Sequence, residues 1–213
     1  ALAVLLVARL LYPHPRDFEA GAPKLETQRF PRTYWLYLTA VAFVAAGYAD
    51  FSLIAYHFEK ASAVPDAWIP SFYAVAMGVD AIAAILFGRL FDQRGISILA
   101  LVALLSSLFA PLVFLGGFYF ALLGMALWGA GMGAQESIMR AAIAEMVPVN
   151  RRGSAYGIFN AGYGLSWFLG SALIGVLYDI SIPLLIAFSV VAQLTAVPLF
   201  LLTAKERRRF SVA

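Results

Sequence analysis

Six long apolar stretches, separated by short polar or glycine-containing turns, fill most of this chain. Residues 95–135 contain no Asp, Glu, Lys, Arg or His, and segments 153–178 and 180–204 contain no Asp, Glu, Lys or Arg. Since a helix needs about 20 apolar residues to cross a bilayer, the longest of these stretches fits two helices joined by a tight turn. The pattern predicts spanning helices at roughly 33–58, 69–90, 96–116, 118–147, 153–178 and 182–204.

The composition agrees with an all-α membrane protein. Hydrophobic residues make up 62% of the chain and charged residues 13%, against about 25% charged residues in soluble domains. The short segments of alternating polar and apolar residues that are typical of a spanning β-barrel do not occur. Because the chain has no cysteine, thiolate-bound zinc and iron–sulfur centres are excluded. We predict no cofactor and no nucleic-acid partner.

The two ends of the chain differ from its centre. Residues 1–12 are apolar but too short to cross a bilayer, and we interpret them as the end of a truncated preceding transmembrane helix. A signal-peptide core is the alternative, although no cleavage site of small residues follows it. Residues 13–32 are rich in proline and charge, which predicts a cytoplasmic linker. Residues 33–204 then form the six-helix bundle, and 205–213 form a basic cytoplasmic tail.

The basic residues favour one side of the membrane. If the spans alternate in direction, twelve of the fifteen Lys and Arg residues fall on the side of the linker. Only Lys60 falls in a loop on the other side, while Arg9 and Arg140 lie in apolar sequence. The positive-inside rule therefore places the linker, both basic turns and the C-terminus in the cytoplasm. Aromatic residues near the span ends are candidate interface anchors: Tyr34, Trp35, Trp68, Tyr73 and Tyr119.

A short internal echo suggests duplication. Gly88-Arg-Leu-Phe-Asp92 closes the second stretch, and Gly175-Val-Leu-Tyr-Asp179 closes the fifth. Three spans separate the two copies, so the predicted topology places them at opposite faces of the membrane. The sequence therefore predicts two inverted three-helix repeats, an arrangement typical of transporter halves.

Four charged residues lie well inside the predicted spans, several residues from either end. Asp80 is central in the second span, Asp50 lies in the outer half of the first, and Glu136 and Arg140 lie in the fourth. Because a charge in hydrocarbon is costly, such residues usually face a cavity or a partner. Glu136 and Arg140 are four residues apart on one helical face, which predicts an ion pair. This pair is either a switch that responds to a proton or solute, or a structural contact. Asp50 and Asp80 are candidates for proton coupling.

The remaining candidates are neutral. Asn160 in the fifth span and Gln193 in the sixth can each donate and accept hydrogen bonds, so they either bind solute or join helices. His57 is predicted near the outer surface, in contact with solvent. Glycines are concentrated in the fourth and fifth spans, where small residues allow close helix approach.

The loop between the second and third predicted spans resembles the signature cytoplasmic loop of the major facilitator superfamily. Four residues match that pattern: Gly88, Leu90, Asp92 and Gly95. Gln93 and the dipeptide at 96–97 stand where basic residues are usual. Residues 148–157 also resemble the turn between the family's tenth and eleventh helices. The likeness covers about residues 33–204.

This resemblance implies that the chain is the C-terminal half of the family's fold, a partner of a missing N-terminal six-helix half or of a second copy. It implies rocker-switch alternating access, with solute held at mid-membrane between halves. It also implies a cytoplasmic gate formed by Gly88, Arg89, Asp92, Arg94 and Gly95. In that gate Asp92 would lie at a helix N-terminus, and the glycines would let the turn approach neighbouring helices.

The leading functional hypothesis is a secondary active transporter in the cell (inner or plasma) membrane that moves a small solute, coupled to protons. A different class is a six-span structural or assembly subunit, or a half-transporter that works as a dimer. An intramembrane enzyme would need ligands or a nucleophile–base pair in the spans. Only His14 and His57 exist, and neither has a neighbour at ligand spacing.

Overall fold

The computed structural model describes residues 30–211, the side chains of 208–211 excepted, and this part of the chain is helical with no β-strand. The all-α class is therefore confirmed. The predicted truncated helix at 1–12 and most of the linker lie outside the described residues. The helices are α1 (Arg32–Ala46), α2 (Phe51–Lys60), α3 (Ile69–Arg94), α4 (Ser97–Ser106), α5 (Phe109–Leu115), α6 (Phe118–Met146), α7 (Arg152–Ile180) and α8 (Ile182–Ser211).

These helices form six spans, which are numbered here in chain order. Helices α1 and α2 form span 1, α3 is span 2, α4 and α5 form span 3, and α6, α7 and α8 are spans 4, 5 and 6. Five of the six are long and apolar enough to cross a membrane. The exception is α6, which has 29 residues and is more polar because it carries Gln135, Glu136 and Arg140. The last helix continues to Ser211, beyond the end predicted at 204.

Span 1 is broken between Ala46 and Phe51, a feature that the hydropathy pattern did not predict. Gly47 ends α1, and Asp50 precedes α2 with extended backbone angles. Two side chains from other spans satisfy carbonyl groups at the break: Ser189 donates to Gly47 O at 2.7 Å, and Trp128 donates to Ala49 O at 2.9 Å. Such partners are what an interrupted helix requires at membrane depth, where no water is available.

The buried side chains form two clusters, one near each end of the bundle. The first contains residues of Tyr34–Val44, Phe91–Ala103, Ala134–Val147, Ala155, Phe159, Ala196 and Phe200. The second contains residues of Tyr48–Ala76, Phe109–Trp128, Ile174, Tyr178 and Leu185. We call the end with the first cluster the basic end, because the adjacent helix termini carry Arg32, Arg94, Arg151 and Arg207. Among the described residues, Lys60 is the one Lys or Arg at the opposite end.

The order of clusters along each helix shows that the two halves of the bundle are inverted. Spans 1, 3 and 5 run from the basic end to the opposite end, and spans 2, 4 and 6 run back. Spans 1 and 4, 2 and 5, and 3 and 6 are therefore antiparallel. The aromatic residues of the five-residue echo follow this inversion, since Phe91 is buried in the first cluster and Tyr178 in the second.

The packing partners follow the same correspondence, in which spans 1, 2 and 3 are the counterparts of spans 4, 5 and 6. Span 2 packs along span 4, and its counterpart, span 5, packs along span 1. Span 1 packs along span 6, as span 4 packs along span 3, and spans 3 and 6 contact each other. The predicted inverted repeat is thus present in the packing of the described helices as well as in five residues of sequence.

Glycine allows the closest of these contacts. A Cβ atom at Gly129 of span 4 would overlap the backbone of Ala76 in span 2. In the counterpart interface, a Cβ atom at Gly170 of span 5 would overlap the backbone of Ala46 in span 1. Membrane helices depend on such close packing because lipid supplies little hydrophobic driving force for their association.

The predicted interface aromatics divide into two groups. Trp35, Trp68, Tyr73 and Tyr119 are exposed on the bundle, as interface anchors should be. Tyr34 is fully buried and donates a hydrogen bond to Ala155 O at 2.8 Å, so its assignment as an anchor was wrong. The buried hydroxyl instead joins spans 1 and 5.

Candidate functional site

Asp50 lies at the break in span 1 and is bound by two side chains of span 5. The indole Nε1–H of Trp167 donates to Asp50 Oδ1 at 2.6 Å, and the hydroxyl of Ser171 donates to Oδ2 at 2.6 Å. No cation of the described chain pairs with this carboxylate. Two neutral donors therefore stabilise a charge within the membrane-spanning bundle.

A polar cavity of about 140 Å³ lies next to this contact, between α6 and α7. Its walls include Gln135, Glu136 and Arg140 from α6 and Asn160 from α7, together with an aromatic wall formed by Phe159, Tyr163 and Trp167. Trp167 both lines the cavity and binds Asp50. The carboxylate at the helix break is thus one side chain away from the cavity.

Glu136 and Arg140 line the same cavity, as their spacing predicts, but they do not form the predicted ion pair. No salt bridge joins them, and both side chains are exposed on the described bundle. The ion pairs of the described residues lie at the basic end, between Arg207 and Glu145 and between Arg32 and Glu206. The i, i+4 spacing brings two side chains to one face, and here both are exposed on the cavity wall without an ion pair between them.

Asp80 lies at the interface of spans 2 and 4. Its Oδ1 atom is buried and has no hydrogen-bond partner among the described residues. A Cβ atom at Gly133 would overlap the backbone oxygen of Asp80, so the two helices are in close contact at this level. Asp80 does not line the cavity between α6 and α7.

The two neutral candidates have different environments. Asn160 is exposed on the wall of the cavity and makes no side-chain hydrogen bond within the described chain. Gln193 is fully buried, and its Nε2 donates to Val44 O at 3.3 Å, while Oε1 has no partner in the described part of the chain. Gln193 therefore joins spans 1 and 6, whereas Asn160 is available to a ligand.

His57 is buried, which corrects the prediction that it faces solvent. Its side chain is 3% exposed, and Nδ1 lies 3.1 Å from the hydroxyl of Tyr178. The ammonium group of Lys60 lies over the rings of Tyr56 and Tyr178, 5.2 and 5.3 Å from their centroids. This group of side chains joins spans 1 and 5 at the opposite end of the bundle.

The five residues of the implied gate lie at the end of α3. Arg89, Asp92 and Arg94 are exposed. Asp92 lies in the last turn of α3 rather than at a helix N-terminus, so that expectation was wrong. Gly88 and Gly95 have open space where a Cβ would lie, so neither mediates a close helix contact within the described bundle. Gly95 is required for another reason, because α3 ends at this residue with a positive φ of 65°, which glycine adopts readily and other residues rarely do.

Sequence reasoning missed three residues of this site: Tyr163, Trp167 and Ser171. They follow Asn160 at intervals of three, four and four residues, so they share one face of α7. Tyr163 donates to Gln135 Oε1 at 3.1 Å, which completes a polar face directed toward α6 and the break in span 1. A polar stripe at helical spacing in a span free of charge was the signal that identifies this face.

Comparison with known proteins agrees with this architecture. The Major Facilitator Superfamily profile matches residues 1–170 and, in a second alignment, residues 36–212. Uncharacterized proteins of Mycobacterium tuberculosis and Mycobacterium bovis are each 36% identical over 202 residues, which is 92% of this chain and 49% of theirs. The chain therefore spans about half the length of the curated relatives that it matches.

The fold and the site define a polytopic helical membrane protein built from two inverted three-helix units, with a polar cavity and a bound carboxylate between spans. The chain belongs to the major facilitator superfamily, a family of membrane transporters.

Proposed function

We propose that this chain forms one six-helix half of a secondary active transporter that moves a small solute across the cell membrane by alternating access. The observation that carries the proposal is the contact of Asp50 with Trp167 and Ser171 beside the polar cavity. It joins a broken helix of the first repeat to the cavity-lining helix of the second. Broken helices and repeat interfaces are where transporters bind solutes and coupling ions.

The second half of the transporter would pack against spans 2 and 5. Few residues of α3 and α7 are buried, and both present large apolar side chains outward, including Ile82, Leu86, Leu165 and Phe168. These two helices occupy corresponding positions in the two inverted units, so they present similar surfaces. Another six-helix half covers them, and the exposed gate residues Asp92 and Arg94 lie at the end of one of these two helices. A second copy of this chain is the alternative partner, and lipid covers the rest.

We propose proton coupling with Asp80 as the proton carrier. Both oxygens of Asp50 accept hydrogen bonds, and an indole N–H can only donate, so a proton on Asp50 would compete with existing contacts. Within residues 30–207, whose side chains are described, Asp80 Oδ1 accepts no hydrogen bond, so Asp80 can gain or lose a proton there without breaking a bond. A carboxyl group that changes charge at the interface of spans 2 and 4 would alter how tightly these helices pack.

Untargeted uptake tests this proposal without knowledge of the solute. Cells that express the full-length protein from its gene are energised in a mixed nutrient extract, and their contents are compared by mass spectrometry with those of cells without it. We expect at least one solute whose level depends on the protein and on the proton gradient. This dependence should be lost on addition of an uncoupler and in Asp80→Asn, and kept in Asp66→Asn, which changes an exposed carboxylate in a turn.

The outcomes separate the parts of the proposal. If no solute depends on the protein, the transport function is wrong. If the level of a solute depends on the protein but does not change on addition of the uncoupler, the proposal of proton coupling is wrong and that of transport stands. If uptake by Asp80→Asn equals that of the unsubstituted protein with the same pH dependence, Asp80 is not the carrier.

A further inference from the structure

The cavity between α6 and α7 displays one anionic and one cationic side chain that are not paired with each other. We infer that it binds an amphoteric solute, one that carries an acidic group and a basic group on a small ring-bearing molecule. This inference rests on the proposed function, because it names the class of solute that the transporter recognises.

The charges of the cavity determine the class. Glu136 and Arg140 are its charged lining residues, and neither side chain forms an ion pair or hydrogen bond with any described residue. They lie on one face of α6, with Cβ atoms about 6 Å apart. A simple anion would bind Arg140 and leave Glu136 uncompensated, and a simple cation would do the reverse. A solute with both groups satisfies both charges and keeps the site neutral overall.

The facing helix determines the shape of the solute's uncharged part. Phe159, Tyr163 and Trp167 follow each other at one-turn intervals on α7, with ring centroids 5.9 and 5.4 Å apart. They form a continuous aromatic wall of the cavity. Flat rings bind favourably to such surfaces in offset or edge-on geometry.

The other polar groups of the cavity distinguish its fixed wall from its binding groups. Tyr163 donates to Gln135 Oε1, and Gln135 Nε2 donates to Gly131 O at 3.3 Å, so these two side chains are engaged and hold the aromatic wall. Asn160 is unengaged and exposed beside them. It offers a donor and an acceptor to a neutral polar group of the solute.

Three compounds with the same ring test the inference directly. Phenylalanine carries both an acidic and a basic group, phenethylamine carries only the amine, and 3-phenylpropionate carries only the acid. Their binding to the purified full-length protein is measured by isothermal calorimetry at neutral pH. We expect phenylalanine to bind about ten- to a hundredfold more tightly than either of the other two compounds. Each of those lacks one charged group, and the loss of one charge-assisted hydrogen bond weakens binding by about this factor.

Two single variants test which residue reads which group. Arg140→Gln should abolish the advantage of phenylalanine over phenethylamine, and Glu136→Gln should abolish its advantage over 3-phenylpropionate. Each variant is compared with itself across the three ligands, so a general loss of folding cannot imitate the result. Glu59→Gln and Lys205→Gln change exposed charges outside the cavity and should keep the original order.

The inference is overturned if none of the three compounds binds, if a singly charged compound binds best, or if both cavity variants keep the original order. These results leave the transport proposal standing, because protein-dependent uptake of a solute of another class would still be found in the expression experiment. Absence of all protein-dependent uptake alongside selective phenylalanine binding would contradict the transport proposal alone.

Discussion

Asp50 shows how one residue can have several roles in a membrane helix. It precedes α2, its carboxylate is bound by Trp167 and Ser171, and these donors come from a helix more than a hundred residues away. Its backbone interrupts span 1, and its side chain fixes the interruption against span 5. The residue therefore links local chain geometry to the position of the cavity wall.

Replacement of Asp50 should separate hydrogen bonding from charge. Asp50→Ala removes both acceptors and leaves the indole N–H of Trp167 without its partner, which should lower the free energy of unfolding by about 1–3 kcal/mol. Asp50→Asn keeps an acceptor for Trp167 and should lose less. Thermal unfolding of the purified full-length protein in detergent checks this order, with Asp66→Ala as a control at an exposed position. An unfolding temperature of Asp50→Ala equal to that of the unsubstituted protein would show that the two bonds contribute nothing.

At this scale the sequence predicted the location of several polar residues better than it predicted what they contact. Asp50, Glu136, Arg140 and Asn160 all lie at or beside one cavity, as charges and amides in a span suggest. The predictions of a Glu136–Arg140 ion pair and of a solvent-exposed His57 were wrong. Spacing along a helix determines which face a side chain lies on, but not its rotamer or its neighbours from another span. The partners of Asp50 and His57 are on α7, and hydropathy carries no information about such contacts.

At the scale of helices, the two counterpart interfaces have the same kind of close contact. Span 2 meets span 4 at Ala76 and Gly129, and span 1 meets span 5 at Ala46 and Gly170. Each contact places a glycine against the backbone of an alanine. Helix packing in lipid depends on such approach, so both glycines should be sensitive to a single added carbon.

Glycine-to-alanine changes test this packing. Gly170→Ala and Gly129→Ala force backbone atoms apart and should each destabilise the protein by about 1–3 kcal/mol, the usual cost of overpacking. Gly164→Ala, on the same helix as Gly170, meets open space and should be neutral or slightly stabilising because alanine favours helix. Unfolding temperatures of the three purified variants decide the point. A Gly170→Ala protein as stable as Gly164→Ala would contradict the close contact.

The helix boundaries were largely predictable, whereas the break in span 1 was not. The length of the apolar stretches and the turn residues between them placed most helix ends within a few residues of those observed. The prediction works because the thickness of the hydrocarbon layer determines how long a spanning helix must be. The interruption at 47–50 is too short to lower the mean hydropathy of span 1 below that of a spanning helix. It is stabilised by Ser189, Trp128 and Trp167, whose proximity depends on the tertiary fold.

For the whole molecule, inversion explains features that otherwise look unrelated. It relates the five-residue echo to two buried aromatics in opposite clusters, Phe91 and Tyr178. It also relates the packing of span 2 on span 4 to that of span 5 on span 1. The concentration of basic residues at one end agrees with this topology, because two antiparallel units of three helices place both ends of the six-span bundle on one face. We propose that this face is cytoplasmic.

Site-directed thiol labelling tests this arrangement most directly, since the 213 residues contain no cysteine that would interfere. Single cysteines replace Gln93 and Asn150 at the basic end and Asp66 and Gly117 at the opposite end, in a full-length background without other cysteines. Intact cells are treated with a membrane-impermeant maleimide. We expect the cysteines at 66 and 117 to react in intact cells and those at 93 and 150 to react only after permeabilisation. Reaction of the cysteines at 93 and 150 from different faces of the membrane would contradict the inverted repeat.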